Sequence, residues 1–118
     1  MPRRKTITMD AVRKIALDYP GVTEGSSYGT VGFRVRGQFL ARFWEDGETL
    51  VVKCGDEERD ARLLADPEAF FLTDHYRGYP TVLIRLGRVS LADLRAVFEC
   101  AWRLKASKRQ IAEYEQRS

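Results

Sequence analysis

The amino-acid sequence predicts an α+β fold, a two-layer sandwich in which an antiparallel sheet of four to five strands carries helices on one face. Two features support this prediction. Apolar and polar residues alternate through three successive runs between Val31 and Lys53, and Asp46-Gly47 between two of them is a hairpin signal. Segments with apolar residues at helical spacing lie on both sides of these runs. The predicted order of elements is α-β-β-β-α-β-β-α.

The first helix is predicted to run from Met9 to about Asp18. Thr8 is a suitable N-cap, because its hydroxyl can accept a hydrogen bond from the first turn. Pro20-Gly21 ends the helix. The next segment, Val22–Thr30, is rich in glycine and serine and is predicted to be a loop into the first strand. Its serines lack the spacing of a nucleophile elbow or of a phosphate-binding loop.

Three strands are predicted at Val31–Arg36, Phe39–Glu45 and Thr49–Lys53. Successive side chains of a strand point to opposite faces, so the first two runs divide into two sets. One set is apolar and is expected to face the core: Phe33, Val35, Phe39, Ala41 and Phe43. The other set is basic with apolar interruptions, and is expected on the face that the helices leave open: Arg34, Arg36, Leu40, Arg42 and Trp44.

The second half of the chain is predicted to alternate between helix and strand. A helix is predicted over Glu57–Ala65, with acidic residues in its first turn as the helix dipole favours. Asp66-Pro67 begins one further turn. Thr81–Leu86 is the predicted fourth strand, and Arg88-Val89 a short fifth.

Two helices are predicted after the last strand. Ser90 opens a long helix whose apolar stripe consists of Leu94, Val97, Phe98, Ala101 and Trp102. Ser107 with Gln110 starts a final helix, Lys108–Gln116. Residues 1–6 and 116–118 are expected to be flexible, as chain ends commonly are.

The length and composition are those of one globular domain spanning residues 1–118. Hydrophobic residues make up 44% of the chain and charged residues 31%. No apolar run reaches the roughly 18 residues of a membrane span, and no signal-peptide pattern follows Met1, so a cytoplasmic location is expected. Cys54 and Cys100 are expected to be small buried side chains. The sequence has no Cys/His cluster, and neither a metal nor a cofactor is expected.

Positive charge is concentrated at the two ends of the chain. The total net charge is +3; Met1–Lys5 carries +3 and Trp102–Ser118 carries +3, so the stretch between them totals −3. A nucleic-acid binder that is basic over its whole surface is therefore excluded.

The connection Phe70–Pro80 is a second candidate site, because it combines aromatic, basic and acidic residues. Its candidate residues are His75, Tyr76, Arg77 and Tyr79. An enzyme would combine His75 with Asp74, Tyr76 or Tyr28, since histidine titrates near neutral pH. No serine or cysteine nucleophile can be assigned to His75, and a packed, hydrogen-bonded histidine is the simpler interpretation. The protein is therefore expected not to be an enzyme.

Four segments carry a likeness to a known family. They are Tyr19-Pro20-Gly21-Val22-Thr23-Glu24, Phe33-Arg-Val-Arg-Gly-Gln-Phe-Leu-Ala41, Asp74–Leu86, and Ala101-Trp102-Arg103-Leu104 with Ser107-Lys108-Arg109. Together they resemble the MmcQ/YjbR family over nearly the whole chain. Gln38 departs from the family, which often has a basic residue there. The resemblance implies an α-β-β-β-α-β-β-α sandwich similar to that of secretion chaperones, and a DNA-binding role, the label that this family widely carries.

The first hypothesis for the function is a non-catalytic DNA-binding protein. Its expected DNA-binding residues on the sheet face are Arg34, Arg36, Arg42, Trp44, Lys53 and Arg85. The cations would contact successive phosphates, and Trp44 would stack on a base or insert between bases. The basic segments Arg3–Lys5 and Lys108-Arg109 are expected to add contacts. No helix-turn-helix or other base-reading motif is present.

The second hypothesis assigns the same sheet face to a protein partner or a homodimer. Leu40, Trp44, Val51 and Leu83 are expected to form an apolar strip between the cations. Such strips are typical of protein interfaces. Affinity for DNA that falls steeply with salt would favour the first hypothesis, and a dimer that buries Trp44 would favour the second.

Overall fold

The sheet is antiparallel throughout and has six strands in the computed structural model, which describes residues 6–27 and 29–117. In chain order the strands are β1 (Val22–Ser27), β2 (Thr30–Val35), β3 (Gln38–Phe43), β4 (Thr49–Lys53), β5 (Phe70–Phe71) and β6 (Thr81–Arg85). Across the sheet the order is β1-β2-β3-β4-β6-β5. The helices of the same residues are α1 (Met9–Leu17), α2 (Asp56–Ala65), α3 (Leu91–Lys105) and α4 (Lys108–Glu115). The predicted α+β fold is confirmed, with one strand more than expected.

Two strand predictions are wrong. The predicted loop Val22–Thr30 contains β1, which pairs with β2 from Val22 opposite Val35 to Ser27 opposite Thr30. As an edge strand with mostly exposed residues, β1 needs no alternation of apolar and polar side chains. Arg88-Val89 forms a turn and not a strand, because both N–H groups donate to the carbonyl of Arg85.

A β-bulge in β3 changes which side chains face the core. Phe33 pairs with Ala41 and Arg34 pairs with Phe39, so Leu40 is an extra residue on β3. Leu40 is fully buried in the helix-side core. Phe39 lies on the opposite face, where it lines a groove with Arg34. The predicted sides of Phe39 and Leu40 are therefore exchanged.

The helices pack on one face of the sheet around a cluster of aromatic side chains. Trp102 on α3 is fully buried, and its indole Nε1 donates to the carbonyl of Pro20 at 2.9 Å. Tyr19 stacks on Tyr114 of α4 with 5.0 Å between ring centroids. Both tyrosine hydroxyls donate to Glu99 Oε1, at 3.3 and 2.7 Å respectively. Full burial of a large apolar side chain contributes about 1.5–3 kcal/mol, so this cluster holds α1, α3 and α4 together.

The opposite face of the sheet is partly covered by the connection between β5 and β6. This connection, residues 72–80, contains a 3₁₀ helix at Asp74–Tyr76. It reaches across to β3, where the hydroxyl of Tyr76 accepts a hydrogen bond from Arg42 Nη2 at 2.7 Å. Val51 and Leu83 lie beside Arg42 on this face and are 1% and 0% exposed, although neither belongs to the helix-side core. The expectation of an open sheet face is therefore wrong for its middle.

Candidate binding groove at one end of the sheet

A groove of about 470 Å³ lies beside the β5–β6 connection, at one end of the sheet. Strand residues contribute Arg34, Phe39, Arg42, Lys53 and Thr81, and the connection contributes His75, Tyr76 and Tyr79. The volume is within the roughly 300–1,000 Å³ that is usual for small-molecule sites. We call this feature the sheet-end groove.

The strand topology brings residues from distant parts of the sequence to this groove. Because neighbouring strands are antiparallel, β2 and β4 end where β3 and β6 begin. Arg34 pairs with Phe39 across β2 and β3, and Lys53 pairs with Thr81 across β4 and β6. The two candidate sites of the sequence analysis, the basic sheet face and the aromatic connection, thus meet in one place.

The sheet-end groove has a positive lining. Arg34 and Lys53 are partly exposed, and among the described residues no aspartate or glutamate lines the groove. Burial lowers the pKa of Lys53, and repulsion from Lys105 lowers it further. An anion placed beside Lys53 would offset both effects. The electrostatics of the groove therefore favour a negatively charged group.

Aromatic rings form the wall of the groove. The ring of His75 is T-shaped to Tyr76 with 4.8 Å between centroids, and tilted to Tyr79 at 5.8 Å. Tyr79 is 54% exposed, so much of its ring can be reached by a ligand. The N–H of Tyr79 donates to the carbonyl of Tyr76 at 3.0 Å, and the N–H of Thr81 donates to the carbonyl of Tyr79 at 2.8 Å. These bonds hold the wall in place before a ligand arrives.

Thr81 contributes a buried hydroxyl without a partner. The residue is 7% exposed, and its Oγ1 has no hydrogen-bond partner among the described residues. Buried hydroxyls are normally paired, because an unpaired one costs about 1–3 kcal/mol. Sequence reasoning missed Thr81, since a threonine at the start of a strand is common and has no signal of its own.

Arg42, one of the predicted phosphate contacts, lines the groove and is held by contacts within the protein. Its side chain is 8% exposed. Besides Tyr76, its guanidinium donates to the Thr30 hydroxyl at 3.3 Å and to the Phe43 carbonyl at 3.2 Å. It also pairs with Glu45 at 3.4 Å. The bond to Tyr76 ties β3 to the β5–β6 connection, and the other contacts hold the guanidinium against β2 and the end of β3.

Arg36 and Trp44 lie away from the groove. Arg36 follows β2 in the turn with φ of 53°, and its guanidinium donates to the carbonyl of Lys105 at 3.4 Å. It was expected inside a strand on the open face, but the turn directs it to the end of α3. Trp44 lines a separate depression together with Met9 and Ser26.

Arg85 lies at the opposite end of β6. It is four residues beyond Thr81, which corresponds to about 13 Å along a strand. Its guanidinium lies 4.0 Å from the centroid of the Phe71 ring, and it donates to the carbonyls of Pro67 and Glu68 at 3.4 and 3.0 Å. The predicted basic face is thus divided, and among the residues that the structure describes only Arg34 and Lys53 line the groove as partly exposed cations.

The remaining residues of the connection do not form an acid–base pair in the structure. The carboxylate of Asp74 accepts from Arg77 Nε at 3.1 Å, and both side chains are exposed. The ring contacts of His75 are to Tyr76 and Tyr79. Tyr28, the other candidate partner, lies outside the described residues, as does the basic segment Arg3–Lys5. The expectation that the protein is not an enzyme stays a prediction.

The apolar strip of the second hypothesis is not a surface in this structure. Leu40 and Leu83 are 0% exposed and Val51 is 1% exposed. Trp44 is partly exposed, but it lies in the separate depression described above. The protein-partner and homodimer hypothesis therefore loses the feature on which it was based.

The cysteines and the metal-binding side chains add no further site. Cys54 is buried, and burial raises the pKa of its thiol to about 11. Cys100 is exposed, contrary to expectation, because it lies on the outer side of α3. No cluster of three or more His, Cys, Asp or Glu side chains suited to a metal ion occurs within residues 6–27 and 29–117. Over the same ranges, no helix has the length and apolar character required to cross a membrane.

Comparisons with known proteins identify relatives of this chain. Uncharacterised proteins Rv2570 of Mycobacterium tuberculosis and Mb2600 of Mycobacterium bovis are each 35% identical to it over 69 residues, which is 58% of this chain and 54% of theirs. The match thus spans about half the length of these relatives. The crystal structure of Deinococcus radiodurans protein DR2400, a DUF419 domain, has a TM-score of 0.74 at 20% identity, covering 95% of this chain and 91% of that one.

That structural likeness shows a shared fold. A family model described as YjbR matches residues 17–104, a range that contains the whole sheet and every residue of the sheet-end groove. The chain therefore belongs to the MmcQ/YjbR family.

Proposed function

We propose that the protein is a non-catalytic DNA-binding protein that contacts DNA through the sheet-end groove. The observation that supports this proposal is the convergence of two cations, Arg34 and Lys53, with the rings of Tyr76 and Tyr79 in a groove that no described acidic residue lines. Cations bind phosphates and aromatic rings stack on bases, which is the usual chemistry of nucleic-acid sites. The proposal agrees with the role that the family resemblance implies.

The proposal differs from the contact set expected from the sequence. Arg36, Arg42 and Arg85 are held by contacts within the protein, so the groove cations replace them as the phosphate contacts. Lys108 and Arg109 are exposed at the start of α4 and supply further positive charge. A cytoplasmic location is part of the same proposal.

The test is a salt-titrated binding measurement. A fluorescent duplex with a single-stranded tail offers both forms of DNA, and its anisotropy reports binding from about 50 to 200 mM salt. The test variant is Arg34→Ala/Lys53→Ala. The matched control is Lys14→Ala/Arg95→Ala, which removes the same charge from exposed positions on the helix layer. Circular dichroism confirms that both variants fold.

The wild type is expected to bind with an affinity that falls steeply with salt. Each lost phosphate contact makes the slope of log K against log salt less steep by about 0.7–0.9. The groove variant is therefore expected to lose about 0.7–0.9 units of steepness where both cations contact one phosphate, and about 1.4–1.8 units where they contact two. The control variant is expected to keep the wild-type slope within about 0.5. Equal losses in both variants, or no binding by the wild type at low salt, would refute the proposal.

A further inference from the structure

The shape of the sheet-end groove restricts which part of a DNA molecule it can hold. The bases of a duplex are stacked and paired, so their faces are not accessible to aromatic side chains. The groove of about 470 Å³ lies between a sheet and a loop wall, and a duplex is too wide to enter it. We propose that the groove binds one unpaired nucleotide of single-stranded DNA, which specifies the ligand of the function proposed above and rests on it.

The phosphate of this nucleotide lies between the two cations. Arg34 is on β2 and Lys53 is on β4, with β3 between them. The spacing of neighbouring strands places their backbones roughly 10 Å apart. Both side chains are long and partly exposed, so they can reach one phosphate from two sides. An arginine supplies a forked set of donors and a lysine a compact charge, and both are common phosphate ligands.

The base stacks on the aromatic wall. In the ring cluster of His75, Tyr76 and Tyr79, the side chains of His75 and Tyr79 are exposed, and Tyr79 offers the larger aromatic ring at 54% exposure. The hydrogen bond from Arg42 fixes Tyr76, and the backbone bonds around Tyr79 fix the loop. A wall that is already ordered loses little conformational entropy when a base stacks on it. Stacking of this kind tolerates any base, because every base has an aromatic face.

The hydroxyl of Thr81 provides a third, independent contact. It is buried and lacks a partner among the described residues, and Thr81 lies two residues from the stacking side chain Tyr79. A hydroxyl can donate or accept, and base edges and sugars carry both kinds of group. A nucleotide in the groove therefore offers a partner to a buried hydroxyl that the described residues leave unpaired.

The experiment compares three ligands that all contain thymidine. They are a single-stranded oligonucleotide of about 12 thymidines, which falls in the range of single-strand site sizes, the same strand paired with its complement, and dTMP as a competitor. Anisotropy is measured for wild type, Tyr79→Ala, Tyr79→Phe, Thr81→Val and Thr73→Val. Thr73 is the matched control for Thr81, because its buried Oγ1 also lacks a partner but it does not line the groove.

The single strand is expected to bind at least tenfold more tightly than the duplex. Tyr79→Ala is expected to weaken single-strand binding by about 5- to 100-fold, and Tyr79→Phe to restore most of it because the ring is retained. Thr81→Val is expected to weaken binding by about 3- to 10-fold, and Thr73→Val by less than about twofold.

Each alternative outcome overturns a defined part of the reasoning. Duplex binding that equals or exceeds single-strand binding, and that still depends on Arg34 and Lys53, overturns the unpaired-nucleotide inference while the proposed function stands. If dTMP displaces the labelled strand as well as the unlabelled strand does at equal nucleotide concentration, the ligand is a free nucleotide and the inference of a single-stranded ligand is wrong. If the protein binds neither the single strand nor the duplex, both the inference and the proposed function are wrong.

Discussion

Thr81→Val replaces a buried hydroxyl with a methyl group of similar size, and it is expected to stabilise the protein. Thr81 is 7% exposed and pairs with Lys53 across β4 and β6. Its hydroxyl loses its hydrogen bonds to water on folding and gains no bond in return among the described residues. That loss costs about 1–3 kcal/mol, which valine avoids. Since valine also suits a strand, we expect the free energy of unfolding to rise by about 1 kcal/mol.

Urea denaturation followed by circular dichroism measures this change. An unaltered m-value with a higher midpoint would report a true gain in stability, and the melting temperature is expected to rise by roughly 3–5 °C. Thr49→Val is the matched control. Thr49 is a strand threonine that is 4% exposed, and its hydroxyl donates to Asp46 Oδ2 at 2.9 Å. Its loss is expected to destabilise the protein by about 1–2 kcal/mol. If Thr81→Val destabilises the protein as Thr49→Val does, the hydroxyl is paired in solution and the reasoning fails.

Two further predictions concern the structural contacts. Arg42→Met removes the guanidinium that joins β3 to Tyr76, and it is expected to lower the free energy of unfolding by about 2–4 kcal/mol. Arg34 is partly exposed, so the control variant Arg34→Met is expected to change that free energy by less than about 0.5 kcal/mol. If urea denaturation shows an equally small effect for both variants, the structural role of Arg42 is contradicted. Burial alone would raise the pKa of Glu99, but hydrogen bonds from Tyr114, Arg103 and Tyr19 together hold it below the ordinary value of 4.5. The folded state thus favours the charged carboxylate, so its contribution to stability is present above pH 4.5 and is lost as the pH falls below it. The free energy of unfolding of Glu99→Gln, measured from pH 6 to 3, is expected to fall less steeply than that of the wild type. An unchanged slope would assign the acid sensitivity to other carboxylates, such as Asp46, whose pKa is also lowered.

The elements that local chemistry determines were predictable from the sequence. Ser90 and Ser107 were expected as N-caps, and their hydroxyls accept from the N–H groups of Asp93 and Gln110, both at 3.1 Å. Capping joins residues only three positions apart, so a short sequence window contains all the information. The strand at Thr49–Lys53 has the predicted bounds for the same reason, because the Asp46-Gly47 turn signal precedes it directly.

The groove depends on long-range contacts, and these were not predictable in detail. The bulge at Leu40 arises from pairing with β2, and the same residues read as a regular strand when taken alone. One signal was nevertheless available. The sequence has three consecutive apolar residues in each of two strands, Leu50–Val52 in β4 and Val82–Ile84 in β6, and all six are buried in the structure. Apolar runs of this kind are typical of strands covered on both faces, which indicates that something had to cover the second face. The aromatic connection is that cover.

The position of β6 also determines when the sheet can be completed during synthesis. β6 is the last strand of the described chain, yet it lies between β4 and β5 and pairs with both. A nascent chain that ends before Thr81 therefore leaves one edge of β4 without its partner, with the apolar residues Leu50, Val51 and Val52 along it. Unpaired apolar edges promote association with other chains. Productive folding on the ribosome thus has to wait for the insertion of this late interior strand, and the same step completes the strands that frame the groove.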